Sequence, residues 1–323
     1  MLKILSIFEP IRQELEAVED RLRECVEVEV SLLRHVLNPL LDSGGKRIRP
    51  ALVILSSTFH KADEETVVPL AASVELLHTA TLVHDDLLDG SMLRRGNPTL
   101  NTSFRARAVI LVGDYLFARA ADQAAATRSV PVVTIFAQTL MTICGGELGQ
   151  AFNGAGWRRT KEDYYQSIYD KTASLFAAST ETGAIVSEAP KRTVRALREY
   201  GYNLGMAFQI LDDILDFTGD EKELGKPIGS DLRQRTATLP LLLFLEIDSG
   251  HDIVSFVFDE PQAAEEDIQT LIEMVKSSPA IASARAEAER FTAEAGKAIR
   301  DLPASEYRQV MLDLADYLLG RRE

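Results

Sequence analysis

Apolar residues along this chain recur at three- and four-residue spacings over stretches too long for strands, which restricts the fold to one built from helices. Leu15, Val18, Leu22, Cys25 and Val26 form one stripe, and Glu14, Glu16, Glu19, Arg21 and Arg23 take the other face, the pattern of an amphipathic surface helix. Asn-Gly or Asp-Gly turns between alternating runs, the usual hairpin signal, are missing. Proline and glycine punctuate the rest at Pro39, Gly44-Gly45, Pro50, Gly96 to Pro98, Gly154 to Gly156, Pro190, Gly225 to Gly229, Pro240, Pro261, Pro279 and Pro303. Between them fit about ten to thirteen helices of ordinary length. Ala51 to Phe59 and Val130 to Cys144 contain β-branched residues, yet the second continues helically through Ala137, Leu140 and Met141, so both are expected as buried helices. The Ala-, Glu- and Arg-rich stretch from Ala280 to Ile299 reads as a solvated helix, and Asp259, Glu260, Glu265, Glu266 and Asp267 as a solvated acidic face. No linker separates two cores, so residues 1–323 are expected to form one all-α domain.

Charge narrows the partners. The chain carries 35 Lys and Arg against 49 Asp and Glu, a net −14, which disfavours non-specific nucleic-acid binding. Cys25 and Cys144 are too few for a disulfide framework or a thiolate zinc site and are expected as buried hydrophobes. Acidic residues from Glu14 to Asp20 stand where a signal peptide would be cleaved, and no apolar run approaches the roughly 18 residues of a membrane span. The expectation is a cytoplasmic protein without stable membrane insertion.

The chemistry concentrates in His84-Asp85-Asp86-Leu87-Leu88-Asp89. On a helix Asp85 and Asp89 are neighbours on one face, and their repulsion calls for a cation. Taken alone, such a motif reads as a solvated helix end. The same spacing recurs at Asp212, Asp213 and Asp216 inside an otherwise apolar helix, where carboxylates are costly unless paired or ligating metal. Hard oxygen ligands without Cys suit Mg²⁺, which keeps waters and shares its sphere with substrate phosphates.

A phosphate ligand requires cations as well. Gly44-Gly45-Lys46-Arg47-Ile48-Arg49-Pro50 is a glycine-hinged loop with three of them, Arg94-Arg95-Gly96 follows the first acidic motif, and Gly225-Lys226-Pro227 follows the second. The loop lacks P-loop spacing, and no Gly-x-Gly-x-x-Gly is present, which disfavours a nucleotide fold.

Those segments, together with His78 to Asp89, Gly113-Asp114-Tyr115-Leu116, Lys171-Thr172 and Phe208-Gln209, resemble the trans-isoprenyl diphosphate synthases (polyprenyl synthetases) in order from Gly44 to Pro240. The resemblance implies an all-α bundle around a deep central cavity, with the two acidic motifs facing across its mouth, in a homodimer. It implies Asp85, Asp89 and Asp212 as primary Mg²⁺ ligands, about three ions serving the bound substrates, with Asp86, Asp213 and Asp216 assisting. It assigns Lys46, Arg49, His78 and Arg95 to the diphosphate of isopentenyl diphosphate, and Arg94, Lys171 and Lys226 to that of an allylic partner such as farnesyl diphosphate. Thr172 and Gln209 would offer oxygens near the developing allylic cation, with the released diphosphate as base. His84 is expected as a hydrogen-bonding support. The sequence departs from the family at Thr236, where many members carry Lys; Arg235 is the candidate substitute.

The implied cavity floor lies one turn before Asp85, at Ala80 and Thr81, where short-product members carry an aromatic. Small residues there predict a product of about six to ten isoprene units, because close packing lets one bulky side chain stop the chain. Phe117 or Met141 could close the cavity earlier and give a geranylgeranyl or farnesyl product. Terpene cyclisation, head-to-head condensation, a non-catalytic subunit of a heteromeric prenyltransferase and a phosphohydrolase are the remaining alternatives. The Gly44 to Arg49 loop, two intact acidic motifs and the want of further spaced histidines weigh against them. Trp157 reads as a packing anchor, and Glu147 and Gln150 receive no chemistry.

Overall fold

Helical periodicity is realised along nearly the whole chain in the computed structural model, which describes all residues except 1, 28–30, 43–44, 95, 154–155, 220–226, 248–250, 261–262 and 321–323. The helices are α1 (Leu2–Ile7), α2 (Arg12–Val26), α3 (Ser31–Asp42), α4 (Ile48–Ser57), α5 (Glu64–Leu88), α6 (Ala106–Ala126), α7 (Val130–Asn153), α8 (Lys161–Ile168), α9 (Ser174–Val186), α10 (Lys191–Thr218), α11 (Ser230–Arg233), α12 (Leu239–Ile247), α13 (His251–Asp259), α14 (Glu265–Ser277), α15 (Ala280–Ile299) and α16 (Glu306–Leu319). A five-residue π turn, Tyr169–Ala173, joins α8 to α9. The chain divides into two compact units.

The first unit comprises residues 1–140, 175–201 and 296–314. Its centre is α5, which packs on α2, α4 and α6. Asp63 caps α5 by accepting from the Glu65 amide, and Glu64 and Glu65 complement the helix dipole. α4 is buried almost throughout, as its apolar composition predicts. α2 buries Val18, Leu22, Cys25 and Val26. The expectation of no hairpin needs correction at one point: Leu93–Arg94 pairs antiparallel with Asn97–Pro98 directly after the first acidic motif. Gly96, at φ 76, supplies the left-handed residue of that turn.

The second unit comprises residues 141–174, 202–295 and 315–323. It holds the C-terminal half of α10, whose Ile210, Leu211, Ile214, Leu215 and Phe217 are buried around the second acidic motif. Thr160 and Asp163 form a reciprocal capping box that fixes the start of α8. α15 is not simply solvated: Ala280, Ala284, Ala288 and Ala295 line a fully buried stripe. Asp259 is likewise engaged, by Arg158 at 2.8 Å and by Trp157, so the expected acidic face is partly structural.

α7 forms as a helix, but its expected burial fails. Only 17% of its apolar window is buried, against 67% for α5, although both are long and apolar enough to span a membrane by length and composition. Val130, Met141, Leu148 and Phe152 are exposed along it, and Cys144 is exposed too, which corrects the expectation of a buried thiol.

Candidate active site

In the first unit, α5 ends with the acidic motif in its last turn, and the two outer carboxylates differ in setting from the middle one. Asp85 is half-buried and Asp89 exposed, whereas Asp86 is buried. Arg94 Nε reaches Asp86 Oδ1 at 2.9 Å and Oδ2 at 3.0 Å, and Arg94 Nη2 reaches Oδ1 at 2.8 Å. The hairpin missed in the sequence is what returns Arg94 to this carboxylate. Asn101 Nδ2 donates to the Asp86 and Ser91 carbonyls at 2.6 and 3.1 Å and ties down the helix end. Nothing in the sequence distinguished Asn101.

His84 turns to α6: its Nε2 lies 3.0 Å from the Ile110 carbonyl oxygen and its ring meets Phe117 edge-on at 5.4 Å. A Cβ on Gly113 would collide with the His84 ring, so glycine lets that ring lie against α6 here. Ala80 is fully buried, and the half-buried Thr81 donates to the His78 carbonyl at 2.8 Å. Met141 is 71% exposed on α7.

The cationic loop separates its cations into two kinds. Arg47, with φ 48, is clamped by Glu19 at 2.5 and 3.1 Å, by Glu75 at 2.6 Å and by the Leu41 carbonyl at 2.8 Å. Burial alone would lower its pKa, but Glu75 and Glu19 outweigh that and raise it. Arg47 is therefore a structural cation, and Glu75, buried on α5, is its partner. Lys46 and His78 are half-buried, and the Arg49 guanidinium lies 4.8 Å from the centre of the Phe176 ring. Gly44 and Arg95 lie outside the described residues.

In the second unit, Asp212 is half-buried, whereas Asp213 is 4% and Asp216 1% exposed. Tyr164 donates to Asp213 Oδ2 at 2.6 Å, and Gln209 Nε2 donates to Asp213 Oδ1 at 2.8 Å. Thr172 Oγ1 donates to Gln209 Oε1 at 2.7 Å. Burial, reinforced by Asp212 and Asp216, pushes the Asp213 carboxyl up to about 7 against the lowering effect of its two donors. Burial and then Asp213 raise the Tyr164 phenol well above its ordinary range. Asp216 Oδ2 accepts from the Asp231 amide at 3.0 Å and caps α11.

The π turn carries Lys171 and Thr172, and such turns re-aim side chains that a continuous α-helix would place elsewhere. Lys171 Nζ pairs with Glu147 Oε1 at 2.6 Å. Gly146 permits that approach, since a Cβ there would lie 2.7 Å from Asp170 Cβ. Glu147, which received no chemistry from its sequence context, is thus the counter-ion of a candidate phosphate-binding lysine. Arg235 does not supply a free charge beside Thr236: it donates to the Phe258 and Glu260 carbonyls at the end of α13. Lys226 lies outside the described residues.

Among the described residues no three acidic, His or Cys side chains converge as a self-contained metal cage. Mg²⁺ takes one or two carboxylates per site and fills its octahedron with water and phosphate. The more accessible carboxylates, Asp85, Asp89 and Asp212, are of the right chemistry for it.

Comparison with known proteins adds independent findings. The sequence model of the family described as polyprenyl synthetase matches residues 30–275. The chain is 37% identical over 322 residues to heptaprenyl diphosphate synthase component 2 of Geobacillus stearothermophilus, covering 100% of both chains. Its fold is similar to that of a polyprenyl synthase from Caulobacter crescentus CB15 solved with calcium and isoprenyl diphosphate, with TM-score 0.94, 33% identity and coverage of 99% and 98%. A decaprenyl diphosphate synthase from Rhodobacter capsulatus gives TM-score 0.92 and 34% identity, with 99% of each chain covered.

Proposed function

This chain belongs to the polyprenyl synthetase family of prenyl transferases, and on that premise we propose that it condenses isopentenyl diphosphate head to tail onto an allylic diphosphate, building a trans product of about six to ten isoprene units on the steric argument at Ala80 and Thr81. The observation that carries this reading is the pairing, in each unit, of helix-borne carboxylates with groups suited to a diphosphate: Arg94 on Asp86, and the Lys171 turn linked through Thr172 and Gln209 to Asp213. The hepta- and decaprenyl names of the relatives support the product length.

Asp85, Asp89 and Asp212 would hold Mg²⁺, about three ions with both substrates bound, and Asp86, Asp213 and Asp216 would support them through water or neighbouring groups. Bound magnesium supplies charge stabilisation to the leaving diphosphate. Arg94, Lys171 and Lys226 bind the allylic diphosphate; Arg94 and Lys171 are held until then by Asp86 and Glu147. Lys46, Arg49, His78 and Arg95 bind isopentenyl diphosphate, while Arg47 keeps their loop in place. Thr172 and Gln209 direct oxygen lone pairs toward the allylic carbon as its C–O bond ionises. The homoallylic double bond then attacks, and proton loss to the released diphosphate completes the step.

The proposal includes one domain over residues 1–323, a cytoplasmic location without stable membrane insertion or nucleic-acid binding, and a homodimer. The apolar side chains exposed along α7 support a protein partner. A second reading makes the chain the catalytic subunit of a heteromeric synthase, favoured by the component name of the Geobacillus relative. Asp85→Ala and Asp212→Ala test the assignment: each abolishes isopentenyl incorporation with the helical circular dichroism unchanged. Activity retained in both defeats it.

A further inference from the structure

The hydrogen bonds from Tyr164 to Thr172 have a fixed direction. Tyr164 and Gln209 both donate to Asp213, which is the acceptor in each bond. Tyr164 does so with its hydroxyl at 2.6 Å and Gln209 with its amide nitrogen at 2.8 Å. The Gln209 carbonyl is thereby turned away from Asp213 and accepts the Thr172 hydroxyl at 2.7 Å. With one Gln209 amide N–H given to Asp213 and the Thr172 proton given to Gln209, the side-chain oxygen of each residue keeps a lone pair to offer. That polarity suits a carbon that becomes positive.

Tyr164 holds the buried end of this chain. Its ring is fully buried, with the Arg159 guanidinium 5.6 Å from its centre and the α8 capping box fixing the helix start. We propose that Tyr164 is a positioning residue for the condensation: by holding Asp213 it fixes the orientation of the Gln209 amide and, through it, of the Thr172 hydroxyl. The inference rests on the proposed role of Thr172 and Gln209 beside the allylic cation. Without the phenol, one oxygen of a buried carboxylate loses its donor, and the carboxylate to which Gln209 donates is no longer held in place.

Tyr164→Phe keeps the ring and removes the hydroxyl. Measured with farnesyl and isopentenyl diphosphates in Mg²⁺, it lowers kcat roughly ten- to hundredfold, as expected for a lost hydrogen bond to a charged group, with KM for isopentenyl diphosphate within about twofold. Tyr165→Phe, next along the helix and bonded to Glu287 at 3.1 Å, leaves kcat unchanged. In a Gln209→Ala background, adding Tyr164→Phe changes kcat by less than about twofold, because the group it positions is gone. A normal kcat in Tyr164→Phe, or an equal loss in the Gln209→Ala background, overturns the inference and leaves the proposed chemistry standing. A normal kcat in Gln209→Ala removes the premise instead.

Discussion

Replacing Arg47 by methionine separates the structural cation of the Lys46 to Arg49 loop from its candidate ligands. The Arg47 side chain is 14% exposed and that of Glu75 is 7%, so their 2.6 Å contact is shielded from solvent. Methionine keeps most of the aliphatic volume and leaves Glu75 as a buried charge without its cation. Removing one partner of such a pair costs about 3–5 kcal/mol. Glu19 is 32% exposed and adds little beyond that, about 0–1 kcal/mol after screening by solvent. The total is read from urea unfolding followed by far-ultraviolet circular dichroism. Adding Glu75→Gln to Arg47→Met removes the stranded charge and recovers at least about 2 kcal/mol. Arg47→Lys falls between wild type and Arg47→Met, because an ammonium cannot fork between two carboxylates and a carbonyl. KM for isopentenyl diphosphate rises in Arg47→Met, since Lys46 and Arg49 flank the lost anchor. A loss under about 1 kcal/mol, or no recovery on adding Glu75→Gln, refutes the reasoning.

Gly113→Ala drives a methyl group into the His84 ring and destabilises the fold by about 1–3 kcal/mol; unfolding at wild-type denaturant concentration contradicts that contact. The raised Asp213 carboxyl sets a pH dependence. Its unfolded pKa is near 3.8 and its folded one about 7, so across that window the native state holds the extra proton and stability falls as pH rises. In EDTA without substrate, the stability difference between wild type and Asp213→Asn therefore shifts against wild type as pH climbs from about 4 to 7. A flat difference or the opposite slope rules out the burial account.

Helix placement and both acidic spacings were legible in the sequence because i to i+4 periodicity is local. The partners that hold each motif were not. Sequence set Asp86 apart from Asp85 and Asp89 but not its partner, because Arg94 reaches Asp86 through a hairpin with no strong turn signal. Asp213 depends on Tyr164, 49 residues earlier, and Arg47 on Glu19 and Glu75, each 28 residues away. Spacing alone cannot bring such partners together. Nothing in the sequence marked Arg47 as buried among the three cations of its loop, because a loop cation gives no sign of burial. α7 read as core because an apolar run does not reveal which surface covers it.

The most direct measurement is incorporation of radiolabelled isopentenyl diphosphate with Mg²⁺, primed separately by geranyl, farnesyl and geranylgeranyl diphosphates, with products resolved by length. The account predicts a ladder ending at about six to ten units, as the small residues at Ala80 and Thr81 allow. A stop at four units keeps the enzyme and contradicts the open floor. No incorporation by the purified chain with any primer contradicts the central claim that it catalyses the condensation alone.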